Sequence, residues 1–547
     1  MDTYTRDVLA HGISRRSFFS HTAAGAAGLG ALSLAGTAAG AATRPSADYG
    51  VSSDGSATLA FLPRPQPIAE ADIQETLTFD VVVVGAGAAG VPAALSAAEN
   101  GARVAVIQKH PIPVSQGNTG TGIDLATSDK AGVEALVSKL MVDNNHRSNP
   151  AMLREWAYNS GEAVRWIIER AKQGGAQVVD QGSGPQADIR KVNGYTLNYV
   201  TSFFGPKPYT TGDGIRVLAQ VAQKAGVKFY FRMPAVQLVQ SATGQVQGVI
   251  AKGPDGKYTR FMAKKGVILA AGDYQNNKAM CDYFIPDQKH FGRKMMDRTG
   301  DGFVMTYWAG GVIEPVGHTK MLHDFDAGPA LMCDMPFLVV NRDGRRFIDE
   351  SVQMSLINNY LRNPRDAGHY CQVFDADYMT AAAQWPGVLY PPEKLKHYMP
   401  EEPGPKLGVF PSLTNTWKAD TLEELARKLE INAPNFVATV KRYNEMAAAR
   451  QDTEFGKAPQ WLLPVVKPPF YGIHRRLRLT TVCSGMLVDT QHRALDADGQ
   501  PIPGLYVIGN MGGGFYGGVD YPLTVFGLSL GRCYTFGYLA GRHVAKL

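Results

Sequence analysis

Phe79-Asp80-Val81-Val82-Val83-Val84-Gly85-Ala86-Gly87-Ala88-Ala89-Gly90 is the stretch that decides the fold. The β-branched run predicts a buried strand. Alanine-rich Val91–Asn100 predicts a helix, and Arg103–Ile107, after Gly101, a second strand. Gly-x-Gly-x-x-Gly between strand and helix, inside a βαβ unit of about 30 residues, is a dinucleotide-binding arrangement. Gly85 makes the tight turn, Gly87 lets the backbone approach a diphosphate, and Gly90 lets helix and strand pack closely. Ala88 and Ala89 keep the same turn small. The helix start, with roughly half a positive charge, faces the phosphates. A second match at Gly512, Gly514 and Gly517 is followed by no helix, so context selects the first. The second strand ends in Gln108-Lys109, where an acidic residue would ordinarily accept from the ribose hydroxyls. An amide oxygen also accepts, without charge assistance.

A chain of 547 residues predicts two or three domains. Hydrophobic residues make up 45% and charged residues 19%, enough for a large core. The net charge of +6 is spread without a block of like charges, which argues against nucleic acid as a partner. The five cysteines are scattered, with no Cys-x-x-Cys-His for attached haem and no zinc spacing, so no metal site is expected.

Ser14-Arg15-Arg16-Ser17-Phe18-Phe19 precedes a weakly apolar, glycine-rich stretch and Ala39-Gly40-Ala41. The paired arginines resemble a twin-arginine export signal, expected over residues 1–42, with a linker over 43–76. The apolar run is shorter than the roughly 20 residues a bilayer needs. The expected location is the periplasm or cell surface, and the protein is not expected to span a membrane.

Several further motifs follow in order. They are Gly117-Asn118-Thr119 with Gly120 and Gly122, then Gly266–Gly272 followed by Asp273, and then Thr299-Gly300-Asp301-Gly302 opening a helix. After these come a hairpin-like segment, Val339–Ser351, and finally Gly504–Asn510 with Gly531–Tyr538. Together they resemble the FAD-dependent family of fumarate reductase flavoproteins and 3-ketosteroid dehydrogenases, from about residue 75 to the C-terminus. The closest likeness is to stand-alone exported flavin reductases. The resemblance implies an α/β fold: a discontinuous Rossmann-type FAD-binding domain (77–275 and 475–547) with an inserted α+β capping domain (276–474). It implies non-covalent FAD, because no histidine stands where the membrane-bound relatives link their flavin, although His110 is nearby. Asn118 and Thr119 would contact the flavin, Ala235 and Val236 the adenine side, and Asn510 the ribityl chain or diphosphate. Ser529 and Leu530 would open a helix toward the flavin carbonyls. Ala271, Gly272 and Asp301 belong to the same expected cofactor shell.

Two departures bear on substrate. Where the family has an arginine or tyrosine proton donor, four residues after Glu350, this chain has Met354, which has no acidic proton. The His-Thr-x-Gly-Gly carboxylate clamp corresponds to Thr481-Val482-Cys483-Ser484-Gly485, without the histidine. Desolvating two unpaired carboxylates costs several kcal/mol each, which disfavours fumarate. Phe203, Phe204, Tyr209, Trp308, Met354, Phe515, Tyr516 and Tyr521 favour a flatter, less charged substrate such as a steroid, a polyphenol or another unsaturated carbonyl compound. Tyr521, before Pro522, resembles the tyrosine that polarises the carbonyl in the ketosteroid branch, with Tyr516, His318 and Tyr209 as reserves. The expected reaction is hydride transfer to an activated C=C, with electrons from a separate carrier such as a membrane-anchored cytochrome c. The alternatives are the reverse desaturation and a non-catalytic electron-transfer flavoprotein.

Overall fold

The computed structural model describes residues 61–180, 194–205, 210–315, 317–323, 328–329, 332–385, 387–406, 415–518 and 520–547. The expected export signal, most of the linker and Tyr209 lie outside them. Residues 61–76, assigned to the linker from sequence, belong to the folded body. Trp308 Nε1 donates to the Leu62 carbonyl at 2.8 Å, and Arg260 pairs with Glu70. The first strand already begins at Ile73.

That strand, β1 (Ile73–Val84), is buried through Val81–Val84 and runs into helix α1 (Gly90–Glu99). Strand β2 (Val104–Gln108) returns parallel to it, with Val81 opposite Val104. β3 (Lys228–Phe231) extends the sheet parallel to β2. The hairpin β4 (Ala235–Gln240) and β5 (Val246–Lys252) leads antiparallel into β6 (Tyr258–Leu269), which lies parallel to β1 on its other side. Parallel strands covered on both faces read as the continuous apolar runs seen at Val81–Val84 and Val104–Ile107.

Past β6 the chain leaves this sheet. Helix α2 (Asp301–Trp308) opens at Gly300, whose φ of 76° suits glycine. Strand β7 (Lys320–His323) follows, and then a four-stranded antiparallel sheet forms the core of the cap. Its members are β8 (Leu338–Val340), β9 (His369–Phe374), β10 (Thr416–Ala419) and β11 (Phe470–Arg476), ordered β8-β9-β11-β10. The segment read as hairpin-like is only a turn, closed by Asn341 N–H to the Arg345 carbonyl. β8 pairs with β9 rather than with Arg345–Ser351, so the long intervening segment is free to carry helix α3 (Met354–Tyr360). The expected cap boundary at 474 falls inside β11, two residues early. Within the cap, Arg346 is buried between Glu350 and Asp452, and Lys457 also pairs with Glu350.

The return begins with β12 (Arg478–Val482), antiparallel to β7. β13 (Arg493–Leu495) and β14 (Pro501–Val507) follow, and β14 joins the free edge of β6 in parallel, Leu505 opposite Val267. Both ends of the chain therefore share the central sheet. Helix α4 (Leu528–Ala545) closes the domain against α1. A Cβ at Gly541 would lie 2.1 Å from the Ala93 carbonyl oxygen, so glycine lets these two helices meet. No helix among the described residues is long and apolar enough to cross a membrane.

Candidate active site

Where β1, β2 and β6 end, a solvent-open cleft of about 510 Å³ is lined by Gly85, Gly87, Gln108, Lys109, Ala235, Ala271 and Asp301. Seven expected cofactor residues thus come together from five separate parts of the sequence. Gly85 has a φ of 105°, and a Cβ there would lie 2.4 Å from the Ala270 carbonyl oxygen. At Gly90 a Cβ would lie 1.9 Å from the Gly85 oxygen, so its absence sets helix against turn. Gly87 differs, because a Cβ there would meet only the Val114 oxygen, at 3.3 Å, and otherwise enter the cleft. Ala88 and Ala89 are buried beneath this turn, and Val236 is half-buried in β4.

His110, noted from sequence as lying near the flavin site, lines the cleft, as do Val114 and Arg298, which sequence reasoning did not single out. Arg298 sits directly before Thr299-Gly300-Asp301, and it lies 3.1 Å from where a Cβ of Gly272 would stand. Lys109 Nζ bridges Thr299 (2.9 Å) and Asp301 (3.1 Å). Burial, then Lys109 and Arg298, holds the His110 imidazole below its ordinary value, which leaves a neutral ring beside two fixed cations. Gln108 spends its Nε2 on the Ile112 carbonyl at 3.2 Å, which leaves its oxygen as the acceptor for a ribose. Beyond the cleft the Thr119 hydroxyl and Gln116 Oε1 are buried without hydrogen-bond partners among the described residues, and Asn118 beside them is half-buried. A glycine cradle flanked by cations suits an adenine dinucleotide.

Two glycines placed with the cofactor have another cause. A Cβ at Gly120 would lie 2.3 Å from the Tyr534 ring, and one at Gly122 would lie 2.3 Å from the Ser160 carbonyl oxygen. Both are packing positions against helices, which by itself accounts for glycine there. Asn510 is also committed within the protein. Its Nδ2 donates to Thr481 Oγ1 at 2.7 Å, and its Oδ1 accepts from Arg532 at 2.9 Å. Leu530 packs over Gly117.

The Ser529 amide, expected to face flavin carbonyls, donates to the Tyr521 hydroxyl oxygen at 3.0 Å. Tyr521 therefore caps the start of α4, and it also lines a second, small recess, with room for little more than a water molecule, together with Met321, Leu322, His323, Asn358, Asp520 and Leu523. The Tyr521 amide donates to the Lys320 carbonyl at 2.9 Å, which ties this segment to β7 of the cap. Arg362 grips Asp520 and Asp287 together, and Lys320 reaches Asp287 at 3.1 Å. Burial raises the Tyr521 phenol above its ordinary value, so it stays protonated. Tyr516 is a buried ring 5.2 Å from that of Tyr521, with Arg532 over its face at 4.8 Å.

His318 is removed from the reserve acids. Its Nδ1 lies 2.6 Å from the Tyr274 hydroxyl and its Nε2 2.8 Å from the Glu314 carbonyl, and burial pulls it down to about 3. A neutral ring bonded on both nitrogens and stacked on Phe284 is a core histidine. Of the aromatic residues expected around the substrate, Tyr521 alone among the described ones lines the recess, and Trp308 is spent on Leu62. Met354 is buried at the start of α3. Thr481, standing where the clamp histidine would be, donates its hydroxyl to the buried carboxylate of Asp273.

Comparison with known proteins agrees with this geometry. The model of the family described as FAD binding domain matches residues 80–521. Vinyl phenol reductase of Lactiplantibacillus plantarum is 26% identical, over 86% of this chain and 97% of that protein. Fumarate reductase (cytochrome) of Shewanella frigidimarina is 25% identical, over 86% and 77%. The solved 3-ketosteroid-delta4-(5alpha)-dehydrogenase of Rhodococcus jostii RHA1 shares the fold, with a TM-score of 0.62 at 23% identity, over 88% of this chain and 100% of that one. The glycine cradle, its cations and a family match spanning most of the chain lead to one conclusion: the chain belongs to the FAD binding domain family and is an FAD-dependent oxidoreductase.

Proposed function

We propose that this enzyme reduces the activated C=C of neutral, largely apolar compounds, phenolic or carbonyl-bearing, outside the cytoplasm, with electrons from a separate carrier. The coarser statement, an FAD-dependent oxidoreductase acting on C=C bonds, accords with the relatives, whose names are those of vinyl phenol and fumarate reductases. Bound FAD, once reduced, supplies a hydride to one carbon of the double bond.

The observation that carries the reading is Tyr521, in the recess wall with its oxygen on the first turn of α4. Accepting the Ser529 N–H polarises the phenol, so its own O–H becomes a stronger donor to a substrate oxygen that gains negative charge. Met354 offers no proton and that of Tyr521 is held on the substrate oxygen, so the second carbon takes its proton from another side chain or from water. The Thr481 hydroxyl is committed to Asp273, and a substrate carboxylate there would meet a carboxyl group instead of a cation. That arrangement favours uncharged substrates over fumarate.

A dye-linked assay with reduced methyl viologen tests this. 4-Vinylphenol or a cyclic enone should oxidise the dye at least 10-fold faster than fumarate at equal concentration. Fumarate as the better substrate would overturn the reading.

A further inference from the structure

We infer that the recess beside Tyr521 is a hydroxyl-recognition subsite, in which Asn358 Oδ1 accepts a hydrogen bond from a hydroxyl on the substrate, so that phenolic compounds are preferred over ketones or ethers. This rests on the reading of the site given above and names its substrate class.

Asn358 lies one turn after Met354 on α3 and is 1% exposed. Its Nδ2 donates to the Leu322 carbonyl at 2.8 Å. A carbonyl can only accept, so this bond fixes which end of the amide is which. Oδ1 is left buried without a hydrogen-bond partner among the described residues. Leaving such an acceptor unpaired costs about 1–3 kcal/mol. Its place in the wall of a recess suggests that a ligand satisfies it.

The neighbours restrict what that ligand group can be. Met321, Leu322 and Leu523 make part of the wall apolar. The Asp520 carboxylate, gripped by Arg362, is a second acceptor in the same wall. Tyr521 contributes the donor, because its oxygen already accepts from Ser529 and a substrate oxygen can take its hydrogen in competition with the neighbouring Tyr516 hydroxyl. A ketone or ether oxygen can accept from Tyr521 but leaves Asn358 orphaned. A carboxylate does the same and brings a negative charge toward Asp520. A hydroxyl both donates and accepts, so it can answer both partners. The recess is small, with room for the hydroxyl end of a molecule only.

The test uses FAD-loaded protein and two saturated probes that cannot be reduced, 4-ethylphenol and its methyl ether 4-ethylanisole, titrated calorimetrically. Wild type should bind the phenol at least about 5-fold more tightly than the ether, since one unpaired buried acceptor is worth that much or more. Asn358→Leu should bring the ratio to near unity, mainly by weakening the phenol. Equal affinities in wild type, as when a fixed water already satisfies Oδ1, overturn the inference. A preference that persists unchanged in Asn358→Leu does so too. If the leucine variant fails to fold, the wild-type ratio still decides. Because neither probe is turned over, failure of the reductase reading would leave this result standing, and the two failures are told apart.

Discussion

Three glycines in one turn should fail in two different ways when each is replaced by alanine. At Gly85 the φ of 105° costs an L-residue about 1–2 kcal/mol, and the new Cβ would stand 2.4 Å from the Ala270 oxygen. At Gly90 the new Cβ would stand 1.9 Å from the Gly85 oxygen, an overpacking worth about 1–3 kcal/mol. Both changes damage the protein before any cofactor arrives. At Gly87 the backbone suits alanine, and the one contact, 3.3 Å to the Val114 oxygen, is relieved by a shift of a few tenths of an ångström. The apo fold should lose less than about 1 kcal/mol there. The methyl group would, however, stand where the diphosphate approaches, and FAD affinity should fall about 10- to 100-fold, or 1.4–2.7 kcal/mol. Apoprotein prepared by removing the flavin would be melted by circular dichroism and then titrated with FAD, following the quenching of flavin fluorescence. Gly85→Ala and Gly90→Ala should lower the apo melting temperature clearly, and Gly87→Ala should spare it while weakening FAD. Wild-type affinity in Gly87→Ala, or equal apo destabilisation by all three, would refute the cradle.

Tyr521→Phe should lower turnover about 100-fold with FAD still bound, the loss expected when a donor to a developing oxyanion is removed, and a near-wild-type rate would dismiss this tyrosine. Arg346→Met should cost about 3–5 kcal/mol in urea unfolding, because Glu350 and Asp452 are left buried without their shared cation. Burial pushes the Asp452 carboxyl up, but Arg346 more than offsets this and holds it below the usual range. That stabilisation is present above the unfolded value of about 3.9 and lost as pH falls through the folded one, so the gap between wild type and variant should begin to narrow below about pH 4. His318, pulled down to about 3, stays neutral in the fold while the unfolded ring protonates near 6.5. Stability should therefore decline as pH falls from about 6.5 toward 3, and His318→Phe should flatten part of that slope in pH-dependent melting. Lysines at Arg15 and Arg16 should leave FAD-loaded precursor in the cytoplasm, as read by cell fractionation. Normal export would dismiss the twin-arginine reading.

The dinucleotide half of the site was legible because local chemistry dictates it. Gly85, Gly87 and Gly90 are needed within one turn, and the valine run can only be a buried parallel strand. Gly120 and Gly122 were ambiguous because a glycine needed against a helix looks the same in sequence as one needed against a phosphate. Their contacts, Tyr534 and Ser160, lie hundreds and tens of residues away. Arg298 was missed because its approach to the cleft depends on how the chain folds after β6. His318 misled in the opposite direction, since only packing against Phe284 and Tyr274 reveals a histidine whose two nitrogens are already spent. Asn358 carried no signal, because its importance lies in an acceptor left over once Leu322 has taken the donor. The linker was drawn too long because Pro- and Ala-rich sequence before β1 hides the hydrogen bonds and ion pair that fasten residues 61–76.

The central claim is that flavin held in this cradle hands hydride to an uncharged double bond. Single-turnover reoxidation measures it most directly: protein purified with its FAD, photoreduced without oxygen, then mixed with 4-vinylphenol, a cyclic enone or fumarate while the flavin absorbance is followed. Rapid return of the oxidised spectrum with a neutral compound, and slow return with fumarate, is the predicted result. Return with fumarate alone, or with none of the three, would contradict it.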